Sequence, residues 1–125
     1  MSLVQIAAGV AGLMGCAIIF IGVRYLLAPE ATAATFGLRV IPSGDDAAWL
    51  QVKGVRDVVS GLLGIALLAA GLYRQLGWFL IIVALVPIGD GLIVLRHRGS
   101  TALAYGIHGG TAAVLLAAGC VLLLR

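Results

Sequence analysis

Three ionisable side chains stand close together at the start of one long apolar run: Lys53, Arg56 and Asp57. Steps of three and four connect Lys53, Arg56, Asp57, Ser60, Gly61 and Gly64, and on an α-helix such positions share a face. The opposite face reads Val55, Val58, Val59, Leu62, Leu63 and Ile65. Two more ionisable groups interrupt later apolar runs. Asp90 lies between two glycines in Pro87-Ile88-Gly89-Asp90-Gly91, and His108 precedes Gly109-Gly110. Two carboxylates, an arginine and a histidine form a set suited to proton transfer. In that chemistry Asp57 or Asp90 is the acid or base. Arg56 orients a carboxylate or steadies developing negative charge, and His108 passes protons near neutral pH. Lys53, Tyr105 and Ser60 are the candidates for holding a substrate.

These groups need elements to carry them. Of 125 residues, 62% are hydrophobic and only 10% charged, far from the balance of a soluble domain. The apolar runs number four, each near the length of roughly 20 residues that a bilayer asks of a helix. Backbone groups facing lipid must be satisfied within the segment, which selects helices. The expected fold is therefore all-α: an integral membrane, up-down four-helix bundle forming a single transmembrane domain over residues 1–125. The expected helices cover about 3–27, 47–73, 76–95 and 101–124. The long connection 28–46 is expected to hold a short surface helix over Ala31–Phe36, ended by Gly37 in a left-handed cap. Ser43, Asp45 or Asp46 is expected to cap the second long helix. Arg74 and Gln75 read as a tight turn, and Pro87 as a kink. Gly9, Gly12 and Gly15, and separately Gly106 and Gly110, read as close-packing positions that leave a homodimer open.

In such a bundle every carboxylate falls toward one end: Glu30, Asp45, Asp46, Asp57 and Asp90. Six of the eight basic residues join them, leaving only Arg74 and Arg125 at the other end. At about 1.5 Å per residue, Asp57 lies roughly 10–15 Å below the start of its helix and His108 about 10 Å below the start of its own. The groups thus converge on one polar pocket, with Arg56 expected to meet Asp90. A charge in hydrocarbon costs at least a few kcal/mol, so repeating it three or four times points to function. An ionic clamp that fixes helix packing is the plain alternative. By the positive-inside rule the charged end faces the cytoplasm, in the plasma (inner) membrane.

No phosphate loop, nucleophile elbow or dinucleotide fingerprint is present, so no cofactor is expected. Cys16 and Cys120 lack metal-ligand spacing, and no metal is expected. The net charge of +3 suits anionic lipid headgroups rather than nucleic acid. Lys53-Gly54-Val55-Arg56-Asp57 with Gly61, Ile88-Gly89-Asp90, and His108-Gly109 resemble a family of small four-helix membrane proteins, the domain-of-unknown-function 4267 family. The layout is more remotely similar to DoxX-like proteins. That resemblance implies a fold but no activity. The residues themselves point to an acid–base enzyme of isomerase, epoxide hydrolase or cyclase type, acting on a small lipophilic molecule that enters from the bilayer. A proton-coupled small-molecule transporter and a non-catalytic accessory subunit are the competing readings.

Overall fold

The first helix starts with a reciprocal cap. The Ser2 hydroxyl accepts from the Gln5 amide, and the Gln5 side chain accepts from the Ser2 amide at 2.8 Å, satisfying two backbone donors that a helix start leaves open. A computed structural model describes residues 1–125 and contains helices and no strand. Helix α1 covers Leu3–Leu27 and stops at Ala28, ahead of Pro29. Pro29 then opens α2, Pro29–Ala33, because its missing N–H costs nothing in a first turn. The Thr32 hydroxyl donates to the Ala28 carbonyl at 2.7 Å and sits 3.1 Å from that of Arg24, tying α2 back to α1. The short helix therefore begins two residues before the expected Ala31 and ends at Ala33 rather than Phe36. Gly37 does adopt a left-handed conformation, with φ of 115°.

A 3-10 turn, Gly44–Ala47, delivers the chain to α3, Ala48–Ala69. Ser43, Asp45 and Asp46 make no side-chain cap; the preceding 3-10 turn supplies the entry instead. Helix α3 ends earlier than residue 73 because Gly71 turns the chain with φ of 71°. Arg74 and Gln75 accordingly belong to α4, Tyr73–Arg96, and do not form the turn. The regular α4 geometry breaks for one residue at Ala84, which keeps both its bonds, to the Leu80 carbonyl and from the Ile88 amide. Pro87 has no N–H, and its ring crowds a carbonyl one turn earlier, so the irregularity falls before the proline. Helix α5, Thr101–Leu124, is capped by the Ser100 hydroxyl, which accepts from the Leu103 amide. It contains a wider π turn over Ala104–Gly109.

Helices α1, α4 and α5 are long and apolar enough to cross a membrane. Helix α3 is 22 residues long and carries Lys53, Arg56 and Asp57, which keeps it outside that class. Large apolar side chains cover the outward faces, Leu13, Phe20, Ile82, Leu85 and Leu92 among them.

Helices α1 and α3 run antiparallel along a glycine seam. A Cβ added at Gly22 would come within 2.6 Å of the Gly54 carbonyl oxygen, and one added at Gly61 within 2.7 Å of the Gly15 carbonyl. The seven-residue spacing of Gly15 and Gly22 thus matches that of Gly54 and Gly61, and the backbones touch where side chains are absent. Of the expected tracks, Gly15 lies in this seam and a Cβ at Gly12 would meet Leu68. Gly9, Gly106 and Gly110 face open space. On the other side of the bundle, α4 and α5 approach at Gly77 and Gly119. Between the two pairs lies the apolar core of Ala7, Ala11, Leu76, Leu80, Ala84, Leu115, Ala118 and Leu122.

Candidate functional site

The seam fixes how α3 is rotated, and the rotation decides which charges face inward. Gly54, Asp57, Gly61 and Gly64 form its buried side. Lys53 and Asp57, one turn apart, ion-pair at 2.6 Å. The Lys53 ammonium also lies 4.4 Å from the centre of the Tyr25 ring and 5.6 Å from that of Phe36, within cation–π range. Tyr25 comes from α1, three residues after Gly22, and only 3% of its surface is exposed.

Opposite α3, the π turn of α5 presents His108. Its Nε2 is 2.7 Å from the Phe36 carbonyl oxygen. A carbonyl only accepts, so Nε2 carries the proton and donates, leaving Nδ1 as the basic nitrogen of the neutral ring. The His108 and Phe36 rings also pack at 4.6 Å between centroids, tilted by 57°. Gly91 of α4 makes room for this turn: a Cβ there would meet the Ala104 carbonyl and the His108 Cβ. π turns recur at functional sites. Here the wide turn aligns Ala104 with His108 on the buried side.

These side chains line one end of a cavity of about 230 Å³ enclosed by α1, α3, α4 and α5, together with the 32–36 segment. Tyr25, Lys53, Asp57, Asp90 and His108 line its polar end. Ala11, Met14, Phe79, Leu80, Val83 and Leu115 line the rest. Asp90 differs from Asp57 in one respect. Asp57 is held by Lys53 in the single ion pair of the chain, whereas the Asp90 carboxylate, on the cavity wall, has no ion-pair or hydrogen-bond partner. No three His, Cys, Asp or Glu side chains gather as a metal site.

Of the residues expected at the site, Asp57, Asp90, His108, Lys53 and Ser60 line this cavity, and Arg56 and Tyr105 do not. Arg56 is exposed on the outer face of α3 and makes no ion pair with Asp90. Adjacent helical residues point about 100° apart, and with Asp57 on the seam Arg56 falls outside. Tyr105 is 69% exposed while His108 is 7% exposed. An α-helix keeps residues three apart near one face, but the wider π turn separates them. Sequence reading missed Tyr25. The heptad pair Gly15 and Gly22 was the available signal, since Tyr25 lies on the same face. The Phe36 carbonyl has no side-chain signature to read.

Residues 15–122 match the family described as "Domain of unknown function (DUF4267)". Neither a curated protein nor a solved structure matches the chain. No DoxX-like protein is among the matches.

Proposed function

The chain belongs to the DUF4267 family, and from its cavity we propose that it is a four-span integral membrane protein performing acid–base chemistry on a small lipophilic molecule. The observation that carries this reading is the unpaired Asp90 carboxylate at the polar end of an otherwise apolar cavity. Such a group meets substrate without first breaking a protein contact. Asp90 takes a proton from, or gives one to, a carbon or oxygen at the head of the bound molecule. His108, with Nε2 engaged by Phe36, offers Nδ1 as the second station for that proton. The Lys53–Asp57 pair sets a fixed field at the reacting end.

Isomerisation and cyclisation need only a proton in and a proton out. Epoxide hydrolysis by an Asp–Arg–Asp grouping would need Arg56, which is exposed outside the cavity, and the only other arginine near it, Arg24, stands at the exposed rim. The first two reaction types are therefore favoured.

Helix α3 serves as the fourth span in this account. Its outward face is Val55, Val59, Leu62 and Leu63, and Lys53 and Asp57 neutralise each other in the cavity. Arg56 lies two turns from the charged end and reaches the interface by extending its side chain. The charged end faces the cytoplasm by the excess of arginine there.

The accessory-subunit reading depends on charges that glue helices together. Lys53 and Asp57 sit on one helix, and no ion pair joins two helices. The carrier reading needs polar steps in both halves, and the half opposite the charges is the apolar core of Ala7 through Leu122.

The test is a mass-spectrometric comparison of lipid-soluble metabolites in cells expressing the wild type or Asp90→Asn, with membrane level and melting temperature measured alongside. A product that appears with the wild type and vanishes with an equally stable Asp90→Asn supports the reading. Identical metabolites in the two strains at equal membrane level contradict it.

A further inference from the structure

We infer that the polar end of the cavity recognises the ammonium head of a single-chain or single-ring lipophilic amine. The inference rests on the cavity being a binding site for a lipophile, and adds which head that lipophile carries.

The charged and titratable groups lining the cavity are Lys53, Asp57, Asp90 and His108, with Arg24 at its exposed rim. Lys53 and Asp57 cancel in their ion pair. That leaves one carboxylate, Asp90, with no cation of its own inside. A carboxylate or phosphate head would meet this unmatched acid and find the interior cation already engaged. An ammonium head would complete it.

The walls point the same way. An ammonium already occupies this part of the molecule, that of Lys53, against the faces of Tyr25 and Phe36 at 4.4 and 5.6 Å. Aromatic faces next to a carboxylate are the surroundings that hold alkylammonium groups elsewhere. The chain thus displays, on its own lysine, the kind of contact an alkylammonium makes in this part of the molecule.

Unspent hydrogen-bonding capacity also favours a donor head. Tyr25 is buried as a residue and lines the cavity, and its hydroxyl, open to that cavity, makes no hydrogen bond within the chain. His108 Nδ1 is an acceptor once Nε2 donates to Phe36. Asp90 is an acceptor as well. Three acceptor-capable groups suit a head rich in donors, and an ammonium offers three where a hydroxyl offers one.

Size limits the tail. At about 230 Å³ the cavity is smaller than the roughly 300–1,000 Å³ of drug-sized sites, so a two-chain lipid does not fit within it. From His108 to Leu115 the helix rises roughly 10 Å, about the length of an eight-carbon chain.

Binding is measured for octylamine, octanol and octanoate to the full chain in nanodiscs at neutral pH, by native mass spectrometry, for wild type, Asp90→Asn, Tyr25→Phe and Ser60→Phe. The expected result is that wild type holds octylamine about tenfold tighter than octanol or octanoate. Asp90→Asn, folded by its melting temperature, brings octylamine down to the level of octanol, and Tyr25→Phe weakens octylamine severalfold. Octanoate or octanol binding as tightly as octylamine overturns the inference. So does an amine preference that survives in Asp90→Asn. In either of those cases, loss of octanol binding in the cavity-filling Ser60→Phe leaves the cavity standing as a lipophile site, with only the choice of head wrong. If no probe distinguishes wild type from Ser60→Phe, the cavity reading falls with it.

Discussion

The two ends of this bundle use the same helices and differ in what fills the space between them. At the apolar end Leu76 and Leu122 are fully buried and Leu80 nearly so, and the four helices close on one another. At the charged end Tyr25, Asp57, Asp90 and His108 stand around a cavity that reaches down to Leu80 and Leu115. Both ends draw on glycines for helix approach, Gly77 with Gly119 at one and Gly22 with Gly54 at the other. Close approach of backbones is therefore compatible with either outcome. The side chains around it decide whether the result is a core or a site. The apolar end is built for packing, and the charged end holds polar groups that packing does not require.

The largest effect should come from breaking what the two ends share. Gly22→Leu drives a side chain into the Gly54 carbonyl and Val58. It should cost about 3 kcal/mol or more, seen as loss of a cooperative melt in nanodiscs. Asp90→Asn sharpens the contrast. It should leave the melting temperature nearly unchanged because Asp90 has no partner to lose, while turnover of the lipophile falls about 100-fold or more. Lys53→Met falls between these. It leaves Asp57, 12% exposed in its side chain, without its ion pair. A fully buried pair broken in this way costs about 3–5 kcal/mol; partial exposure of Lys53 at 31% reduces this to roughly 2 kcal/mol. The double variant Lys53→Met/Asp57→Leu should recover most of that loss in a melting experiment. The smallest effects belong outside both ends. Arg56→Gln and Gly106→Ala should each change stability by no more than about 0.5 kcal/mol, because Arg56 is exposed and a Cβ at Gly106 meets nothing.

Much of this contrast was legible in the order of residues. Hydropathy placed the long helices, and the gathering of Asp57, Asp90 and His108 at one end followed from their positions along them. Orientation about each helix axis was not legible. Arg56 and Asp57 are neighbours in a three-and-four pattern that admits both, and only the pairing of Gly54 and Gly61 with Gly22 and Gly15 turns Asp57 inward. The π turn in α5 leaves no pattern in the residues, yet it separates Tyr105 from His108. The hydrogen bond from His108 to the Phe36 carbonyl is made to a backbone atom, which every residue possesses. Helix ends shifted where a local group took precedence: Pro29 opening α2, Gly71 ending α3, and Pro87 interrupting α4 at Ala84.

The central claim is that the charged end holds a lipophile, and identifying what co-purifies with the protein tests it most directly. Wild type, Arg56→Gln and Ser60→Phe are extracted under mild conditions, matched for melting temperature, and their bound small molecules released and identified by mass spectrometry. The account predicts one lipophilic molecule near one per chain in wild type and Arg56→Gln, and its loss in Ser60→Phe. The same lipids in equal amounts from all three would contradict it, since the cavity would then hold nothing that the outer surface does not.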